Sequence, residues 1–432
     1  MNTPLKIALC GLGTVGSAVF RLINTKSELF KRRFGAEINI VAVSARDKGK
    51  ERDISLDDVA WFDDAIEMAR VSDANVVVEL IGGSEGVALE VCQTALATGK
   101  DIVTANKALL AVHGFDLARQ ADEGSRSIGY EAAVAGGIPV IKALREGLVC
   151  NEVQHLYGIL NGTSNFILTE MRNKGLDFET VLKDAQRLGY AEADPEFDVN
   201  GVDAGHKLSL LTALAFETKP DFNSVSVEGI SNISELDIRF ADELGYRIKL
   251  LGIARRGPDG IQQSVRPCMV PKGLPMANVD GVFNAIAFQG DDTGPVFLEG
   301  RGAGAGPTAS AVIADLSDLA RGLRLPTFGV PIQNLKSSNP ASEDSASGRF
   351  YVRLMVLDRP GVFADVAAAL REQDVSMEAI LQRTRAPGAP VPVVMTTHEV
   401  NQSAINKAID RFSTLDTVVE QPRIIKIENL SL

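Results

Sequence analysis

The sequence predicts an α/β protein in three parts: a nucleotide-binding domain with a parallel sheet, an α+β domain, and a ferredoxin-like unit at the C-terminal end. Strand and helix signals alternate through residues 1–132, become mixed through residues 133–304, and follow a βαββαβ order through residues 350–432. A chain of 432 residues is also too long for one ordinary domain, so two or three domains are expected.

The parallel sheet is predicted by four short apolar runs that are separated by helical segments. These runs are "KIALCG", "EINIVAVSA", "ANVVVELIG" and "GKDIVTANKA". Between the first two, "SAVFRLINTKSELFKRR" has helical periodicity, which predicts a helix over residues 17–33. Strands that alternate with helices at this spacing form βαβ units, and such units build parallel sheets.

The second domain is predicted from a change of pattern after residue 133. "QHLYGILNGTSNFILTEMRNKG" has the pattern of a strand, a glycine turn and a helix, and "YRIKLLGIARRG" and "NAIAFQG" indicate an antiparallel or mixed sheet. Further on, a glycine-rich loop precedes Pro307 and a long apolar segment, which predicts a helix start at that proline. We expect residues 305–334 to return to the first domain.

The C-terminal unit follows a predicted linker. Residues 335–349, "LKSSNPASEDSASGR", are rich in serine, proline and acidic residues and have little to bury. Beyond them, strand, helix, strand, strand, helix and strand signals follow in "FYVRLMVLD", "GVFADVAAALREQD", "VSMEAILQR", "VPVVMTTHEV", "SAINKAIDRFSTL" and "PRIIKIE". This is the element order of ferredoxin-like domains.

Composition argues against several classes of protein. A net charge of −12 with no run of lysine or arginine argues against a nucleic-acid binder. The N-terminal segment lacks the pattern of an export signal, and no apolar run approaches the roughly 18 residues of a membrane span. Cys10, Cys92, Cys150 and Cys268 are far apart and form no C-x-x-C pair, which predicts reduced thiols in a cytoplasmic protein.

A dinucleotide site is predicted at "GLGTVG", residues 11–16, which follows a strand and precedes a helix. In a G-x-G-x-x-G turn the backbone bends tightly and approaches a pyrophosphate, whose charge lies at the helix N-terminus. The motif alone is weak, but its place in the first βαβ unit makes it typical of a Rossmann-type domain. The predicted cofactor-binding residues of this turn are Gly11, Leu12, Gly13, Thr14, Val15 and Gly16.

The coenzyme preference depends on the end of the second strand, where a carboxylate would bind the ribose 2′-hydroxyl of NAD. Ser44 stands there instead, and Arg46, Lys48 and Lys50 follow. Basic residues suit a 2′-phosphate, so we expect NADP, with Arg46 as a further cofactor-binding residue. Asp47 leaves NAD use open, and a solvated basic loop is the plainer alternative.

Two lysines are candidates for the chemistry, because a nicotinamide carries the hydride and the protein must supply the proton. Lys107 in "TANKALLA" follows the fourth strand at the carboxyl edge of the sheet, where ligands bind; a plain surface lysine is the alternative. In "VNGVDAGHKLSLLTALA" a helix predicted from residues 200–202 puts Asp203 and Lys207 on one face. This pair is either a modest surface salt bridge or, in a closed site, an oriented proton donor.

The same region, "GYAEADPEFDVNGVDAGHKL", contains further carboxylates. Glu192 and Asp198 are expected to bind a substrate ammonium. Asp194 and Glu196 are expected to face water. His206 lies next to the candidate lysine but on another face of the helix, and we expect it to be structural.

Seven blocks of the chain resemble homoserine dehydrogenases, in that family's order. They are "GLGTVG", "VVVELIGG", "VTANKALLA", "YEAAVAGGIPVI", "GILNGTSNFILTEM", "LGYAEADPEFDVNGVDAGHKL" and "GAGPTASAVIADL". The resemblance covers roughly residues 5–330, and the fifth and sixth blocks are highly specific.

The resemblance implies NAD(P)-dependent interconversion of L-aspartate 4-semialdehyde and L-homoserine, on the route to threonine, isoleucine and methionine. It implies that Lys207 is the proton donor and that Lys107 lies between nicotinamide and substrate, in contact with both. It also implies that Glu192 binds substrate, and Asp198 and Asp203 match further carboxylates of the family's site.

One block, "YEAAVAGGIPVI", resembles a segment that holds a monovalent cation, usually sodium, mostly through backbone carbonyls. Oxygen ligands suit such a hard cation. The ligands that the resemblance implies are Glu131, Val134, Gly136 and Ile138.

The C-terminal unit, with "LMVLDRPGVFADVAAAL", resembles an ACT domain, which bacterial homoserine dehydrogenases often carry. This resemblance implies an amino-acid effector, and feedback inhibition by threonine is the hypothesis. The alternative is a domain that serves only assembly. A homodimer or homotetramer is expected.

Two rival interpretations remain open from the sequence. An aspartate-semialdehyde dehydrogenase would need a cysteine nucleophile, and Cys150 in "EGLVCNEV" lies in no glycine-rich or electropositive turn. A regulatory binding protein would be a decayed dehydrogenase kept for its sensor domain. The presence of Lys107, Glu192, Asp203 and Lys207 argues against that.

Overall fold

The computed structural model describes residues 4–342, 346–383 and 386–430. Within these ranges, the N-terminal domain has a six-stranded sheet in the order β3-β2-β1-β4-β5-β6 with parallel pairing throughout. Its strands are β1 (Leu5–Cys10), β2 (Ile38–Ser44), β3 (Ala60–Phe62), β4 (Val76–Glu79), β5 (Asp101–Thr104) and β6 (Ile128–Gly129). The strand order reverses between β1 and β4, which places a ligand crevice at their carboxyl ends. The short strands β3 and β6 were not predicted.

Helices cover both faces of this sheet. They are α1 (Thr14–Thr25), α2 (Ser27–Phe34), α3 (Ala65–Val71), α4 (Val87–Ala97), α5 (Lys107–Glu123) and, from far along the chain, α12 (Ala305–Ala320). The prediction of a continuous helix over residues 17–33 is wrong, because Lys26 has non-helical φ and ψ of −119° and 17°. The break redirects α2, so that Phe30 enters the core and stacks on Phe34 with ring centroids 5.4 Å apart.

Helix α12 shares a buried core with α1 and the N-terminal strands, through Val312 and Leu316 among others. The expected return to the first domain therefore applies to this helix. It ends at Ala320, well short of residue 334, and Gly322 follows with a left-handed φ of 79°. Among the described residues no helix is long and apolar enough to cross a membrane.

The second domain is an antiparallel sheet with helices packed on one face. Its strands are β7 (Val153–Ile159), β9 (Tyr246–Gly257), β10 (Gly260–Pro271), β11 (Phe283–Gly290) and β12 (Gly294–Arg301), with the short β8 (Ser226–Val227) beside β10. Its helices are α6 (Val140–Lys142), α7 (Gly162–Lys174), α8 (Phe178–Arg187), α9 (Glu196–Val199), α10 (Val202–Phe216) and α11 (Glu235–Glu243). Residues 203–214 of α10 are all buried, so this helix crosses the core.

The C-terminal unit has the predicted βαββαβ order with one extra short strand. Its elements are β13 (Ser347–Leu357), α13 (Val362–Glu372), β14 (Met377–Leu381), β15 (Pro390–Thr397), β16 (Val400–Asn401), α14 (Gln402–Ser413) and β17 (Arg423–Ile427). The strand order β17-β13-β15-β14 is that of a ferredoxin-like sheet. Strand β17 also pairs in parallel with β10, where Cys268 lies opposite Lys426. The described strands of the two domains thus form one continuous sheet, which the sequence did not predict.

The segment predicted as a linker is partly held against the second domain. The Ile261 N–H donates to Asn339 O at 2.7 Å, and the Ala341 N–H donates to Ile261 O at 3.0 Å. Residues 347–349 already belong to β13, and residues 343–345 lie outside the described residues. Close by, the buried Asp237 of α11 accepts hydrogen bonds from Arg353 Nε at 2.7 Å and Tyr351 OH at 3.1 Å. The C-terminal unit is therefore joined to the second domain by backbone and side-chain contacts.

Candidate active site

The glycine turn after β1 has the geometry that a pyrophosphate requires. Gly11 has a left-handed φ of 96°, and a Cβ added there would lie 2.6 Å from Leu80 O. A Cβ at Gly16 would lie 1.9 Å from Gly11 O, so both positions exclude any side chain. A Cβ at Gly13 would meet nothing within 4 Å, which leaves the side of the turn before α1 open. The first N–H groups of α1 can therefore receive an anion there.

A cleft of about 720 Å³ extends from this turn along the carboxyl ends of β1, β2 and β4. Its lining includes Arg46 and Lys50, as predicted from the sequence, and also Arg52, which the sequence analysis missed. Arg52 donates to Leu12 O at 3.3 Å and Asp47 O at 2.6 Å, which ties the basic loop to the glycine turn. The only available signal was a fourth basic residue in "RDKGKER".

The basic loop also surrounds the single tryptophan of the chain. The Lys48 ammonium and the Arg52 guanidinium each lie 5.8 Å from the centroid of the Trp61 ring. Cation–π contacts of this length are worth roughly 0.5–1 kcal/mol at exposed positions. Of these two cations, Arg52 also lines the cleft.

Glu79, at the end of β4, fixes the loops that lead to Lys107. This fully buried carboxylate accepts the N–H groups of Ile81 and Gly82 at 2.7 and 3.0 Å, and the Thr104 hydroxyl at 2.6 Å. It thereby links the carboxyl ends of two neighbouring strands. The sequence analysis missed Glu79, although a lone carboxylate at the end of the apolar run "VVVELIGG" is a visible signal.

Lys107 is placed by the start of α5. Asn106 caps that helix by accepting the Leu109 N–H at 3.1 Å, and its amide donates to Gly83 O at 2.7 Å. The Lys107 side chain is 34% exposed and its ammonium lies 3.2 Å from Asp203 Oδ1. A residue of the first domain thus reaches across to a residue of the second.

Asp203 and Lys207 form the predicted pair one turn apart on α10. Lys207 Nζ lies 2.6 Å from Asp203 Oδ2 and donates to Leu160 O at 2.8 Å. Both residues are less than 9% exposed. Asp203 therefore bridges two lysines, one buried and one partly exposed.

Asn161, which the sequence analysis missed, joins the carboxylates of this site. Its amide nitrogen donates to Asp203 Oδ2 at 2.9 Å and to Asp198 Oδ1 at 2.8 Å. Its amide oxygen caps α7 by accepting the Ser164 N–H at 2.8 Å. An asparagine directly before a helix, in "NGTSNF", is a capping signal, but nothing in it shows the second role.

The electrostatics of the cluster keep Asp203 ionised. Burial alone would raise the pKa of Asp203, but the charges of Lys207 and Lys107 and the hydrogen bonds from Lys207 and Asn161 hold it well below its usual range. Burial lowers the pKa of the neighbouring His206; Asp203 opposes this shift and the two lysines add to it. The imidazole is therefore neutral near pH 7, and two ammonium groups share one buried carboxylate.

The other residues of the acidic stretch lie at different depths. Asp198 is half-buried next to Asn161, whereas Glu192, Asp194 and Glu196 are exposed. The structure brings Asp198, Asp203 and both lysines into one cluster. Glu192 lies outside it, at the exposed end of the same loop.

The segment implied to hold a cation lies between the two domains. The buried Glu131 carboxylate accepts the N–H groups of Ile141 and Lys142, each at 2.9 Å. Burial and the nearby Asp315 raise the pKa of Glu131 to about 7 against the effect of those hydrogen bonds. Ala135 and Gly136 both have left-handed φ values, of 56° and 52°, which turns this backbone sharply.

Family models cover most of the chain. The model described as "Homoserine dehydrogenase, NAD binding domain" matches residues 11–131, and "Homoserine dehydrogenase" matches residues 139–317. A third, "ACT domain", matches residues 350–416. The chain belongs to the homoserine dehydrogenase family.

Similar proteins carry the same name over their full length. A homoserine dehydrogenase of Neisseria gonorrhoeae is 43% identical, with 99% of both chains covered. One of Pseudomonas aeruginosa is 42% identical over 99% of this chain and 100% of its own. The crystal structure of a homoserine dehydrogenase from Thiobacillus denitrificans is 41% identical, covers 100% of both chains, and has a TM-score of 0.94.

The family resemblance and the fold predicted from the sequence are thus confirmed. The protein is an oxidoreductase with a nicotinamide-binding domain, and it interconverts L-aspartate 4-semialdehyde and L-homoserine. The acyl-enzyme rival is wrong: Cys150 lies in an exposed turn before β7, and its sulfur is next to the Asn151 amide at 3.3 Å. The binding-protein rival is wrong as well.

Proposed function

We propose that Lys207 is the proton donor and acceptor of the homoserine dehydrogenase reaction, and that Asp203 holds both lysines for it. The observation that carries the proposal is the buried Asp203 carboxylate, 2.6 Å from one ammonium and 3.2 Å from the other. An ammonium has three N–H groups. Within the described part of the chain, Lys207 donates to Asp203 and Leu160 O, which leaves its third N–H for a substrate oxygen.

The nicotinamide supplies the hydride when it is bound. As the aldehyde oxygen gains negative charge, Lys207 donates its free N–H to that oxygen and transfers the proton. In the reverse direction the neutral amine accepts the hydroxyl proton of homoserine. Lys107, whose ammonium lies 3.2 Å from Asp203, would lie between nicotinamide and substrate and would stabilise the same developing charge.

The substrate amino acid is bound by carboxylates of the acidic stretch. Asp198 is aligned by the Asn161 amide at 2.8 Å and offers its remaining lone pairs to a substrate ammonium. Glu192, which is exposed, is proposed as a second carboxylate for the ammonium. Glu192→Gln should therefore raise KM for homoserine more than it lowers kcat.

The experiment for the proton donor is the variant Lys207→Ala. General acid–base catalysis contributes about 10²- to 10⁴-fold, so kcat should fall by at least ~10²-fold in both directions. NADPH binding, measured by quenching of Trp61 fluorescence, should be unchanged. A variant that binds coenzyme and turns over at the wild-type rate would refute the role of Lys207.

NADP is the proposed coenzyme, with Arg46, Lys50 and Arg52 around its 2′-phosphate. Support comes from the cations that line the cleft and from the absence of an acidic residue at Ser44. A hyperthermophilic archaeal homoserine dehydrogenase in complex with NADPH, 28% identical with a TM-score of 0.63, covers 73% of this chain and 97% of its own. Assays with NAD and NADP at matched concentrations test this, and equal kcat/KM values would refute it.

A monovalent cation, usually sodium, is proposed at Glu131, Val134, Gly136 and Ile138. The sharp turn at Gly136 and the carbonyl-rich backbone fit a hard cation. The cation would lie between the two domains. Activity that is the same in sodium, potassium and choline salts would argue against it.

The remaining proposals concern organisation. We propose three domains, at residues 1–132, 133–304 and 350–432. We also propose that the protein is cytoplasmic and forms a homodimer or homotetramer.

Threonine is the proposed effector of the ACT unit. If threonine changes neither activity nor oligomeric state, the ACT unit has an assembly role only. Sedimentation of the full chain measures the oligomeric state directly.

A further inference from the structure

We propose that Phe197 is a positioning residue for Lys107, and that its ring aims the Lys107 ammonium at the reacting centre. The proposal rests on the role proposed above for Lys107. Phe197 is a large apolar side chain next to a cluster of charged groups, yet it is 43% exposed.

The contact between the two side chains is a cation–π pair. The Lys107 ammonium lies 6.0 Å from the centroid of the Phe197 ring. Such pairs attract because the face of an aromatic ring carries partial negative charge. Among the described residues, the one carboxylate within ion-pair distance of Lys107 is Asp203, which Lys207 also uses. The Phe197 ring is therefore a second electron-rich group that can hold the Lys107 ammonium in place.

The ring is held from behind by other aromatic side chains. The His206 ring lies 5.5 Å from Phe197 and 4.2 Å from Phe222, in a tilted and an edge-on arrangement. His206 is buried and neutral near pH 7, so it adds no third cation to the cluster. The rings of Phe197, His206 and Phe222 thus pack in a row beside Lys107.

The backbone that carries Phe197 is also anchored. Phe197 belongs to the short helix α9, whose next residue, Asp198, accepts hydrogen bonds from Asn161 on its carboxylate and from Ser164 on its carbonyl. The Val199 carbonyl accepts the Ile230 N–H at 2.9 Å. Because α9 is fixed on both sides, the ring can restrict the partly exposed Lys107 side chain instead of moving with it.

The first test compares Phe197→Leu with Phe197→Tyr. Leucine keeps apolar bulk but has no π face, so kcat should fall by about three- to ten-fold with less than a roughly two-fold change in KM for homoserine. Tyrosine keeps the face and should retain wild-type kcat. Leu188→Ala, at an exposed apolar position in the same region, is the control and should leave both constants unchanged. Equal kcat values in wild type and Phe197→Leu would overturn the proposal.

A second test separates the ring's charge distribution from its shape. Replacing Phe197 by 4-fluoro- and then 3,4,5-trifluorophenylalanine removes negative charge from the face while the size of the ring changes little. Each step should lower kcat further. A purely structural ring would tolerate both analogues, and full activity of the trifluoro protein would refute positioning through the π face.

A double-mutant cycle identifies the partner. In the Lys107→Ala background, Phe197→Leu should cause less than about a 1.5-fold further loss, because residues that act through one contact are not additive. Full additivity would overturn the coupling while leaving the proposed role of Lys107 intact. A Lys107→Ala enzyme with wild-type kcat would instead overturn the role of Lys107 and, with it, this inference.

Discussion

Two lysine–aspartate–asparagine clusters lie against the first turns of α7, and they differ in the exposure of the aspartate to solvent. In the Lys207 cluster (Asn161, Asp203, Lys207) the aspartate is buried, and the ammonium of a second lysine, Lys107 of α5, lies 3.2 Å from it. In the Lys249 cluster (Asn165, Asp280, Lys249) the lysine side chain is 1% exposed and the aspartate side chain 40%. Each asparagine binds its cluster from the same helix, four residues apart.

The clusters also differ in how many N–H groups of the lysine ammonium are used within the cluster. Lys249 Nζ donates to Val279 O, to Asn165 Oδ1 at 3.2 Å and to Asp280 Oδ1 at 3.1 Å, which uses all three N–H groups. Lys207 uses two. Burial lowers the pKa of Lys249 to about 8, with Asp280 opposing and two arginines adding to the shift. A lowered lysine pKa alone would therefore have pointed to the saturated, structural cluster.

The largest expected effect is on the two aspartates. Asp203→Asn keeps the shape but removes the charge that both lysines share, so kcat should fall by at least about 10²-fold. Asp280→Asn, the matched change in the Lys249 cluster, should lower the free energy of unfolding and leave kcat within about three-fold. Steady-state assays and urea unfolding of the two variants measure both quantities. A greater loss of kcat in Asp280→Asn than in Asp203→Asn would reverse the assignment of the clusters.

The ion pairs of Asp203 predict that the free energy of unfolding depends on pH below pH 4. The pKa of Asp203 is held below its ordinary value of 3.8, so the carboxylate stabilises the folded state at higher pH, and this stability is lost as the pH falls through the lowered pKa. The difference in unfolding free energy between wild type and Asp203→Asn should shrink on acidification. A difference that stays constant from pH 6 to pH 2 would contradict the ion-pair account.

A smaller effect is expected at the asparagines. Asn161→Ala frees Asp198 and Asp203 from a common donor, so KM for homoserine should rise roughly five- to twenty-fold, which corresponds to about 1–2 kcal/mol. Asn165 instead donates to three carbonyls, those of Val279, Gly281 and Phe283. Asn165→Ala should therefore reduce stability by roughly 1–3 kcal/mol with little change in KM. Equal effects of the two variants on KM would mean that α7 acts on the site as a whole.

Much of the fold could be predicted because its signals are local. The alternation of apolar runs and helices predicts the parallel sheet, and "GLGTVG" predicts the turn that excludes side chains at Gly11 and Gly16. The pairing of β17 with β10 could not be predicted, because the paired residues, such as Cys268 and Lys426, lie far apart in the sequence. The apolar pattern of these two strands does not differ from that of the other strands. The break at Lys26 has no glycine or proline to mark it, and the two-residue strand β6 is too short to show a periodic pattern.

The candidate site shows the same division. The spacing of Asp203 and Lys207 is helical and can be seen in the sequence, whereas Lys107 comes from another domain and meets Asp203 only after folding. Asn161 was missed because its carboxylate partners lie far along the chain, and Glu79 because one of its partners, Thr104, lies on the neighbouring strand. The sequence gives the residue types, but which of two lysine–aspartate–asparagine sets stays unsaturated depends on tertiary contacts.

The smallest expected effect on catalysis is that of substituting Lys249. Its main effect should be on the free energy of unfolding and on how that free energy changes with pH. The ordinary pKa of Lys249 is 10.5 and its folded pKa about 8, so between these values the unfolded chain binds more protons and stability rises with pH. The rise is at most roughly 3 kcal/mol, since one pKa unit corresponds to about 1.4 kcal/mol. Lys249→Met has no such proton, so its unfolding free energy should lack this rise, while kcat stays within about three-fold of wild type. Urea unfolding at pH 7.5, 9 and 10.5 measures the slope in both proteins. An identical slope in wild type and variant would mean that Lys249 titrates as an ordinary lysine, and that burial and its arginine neighbours do not set its charge.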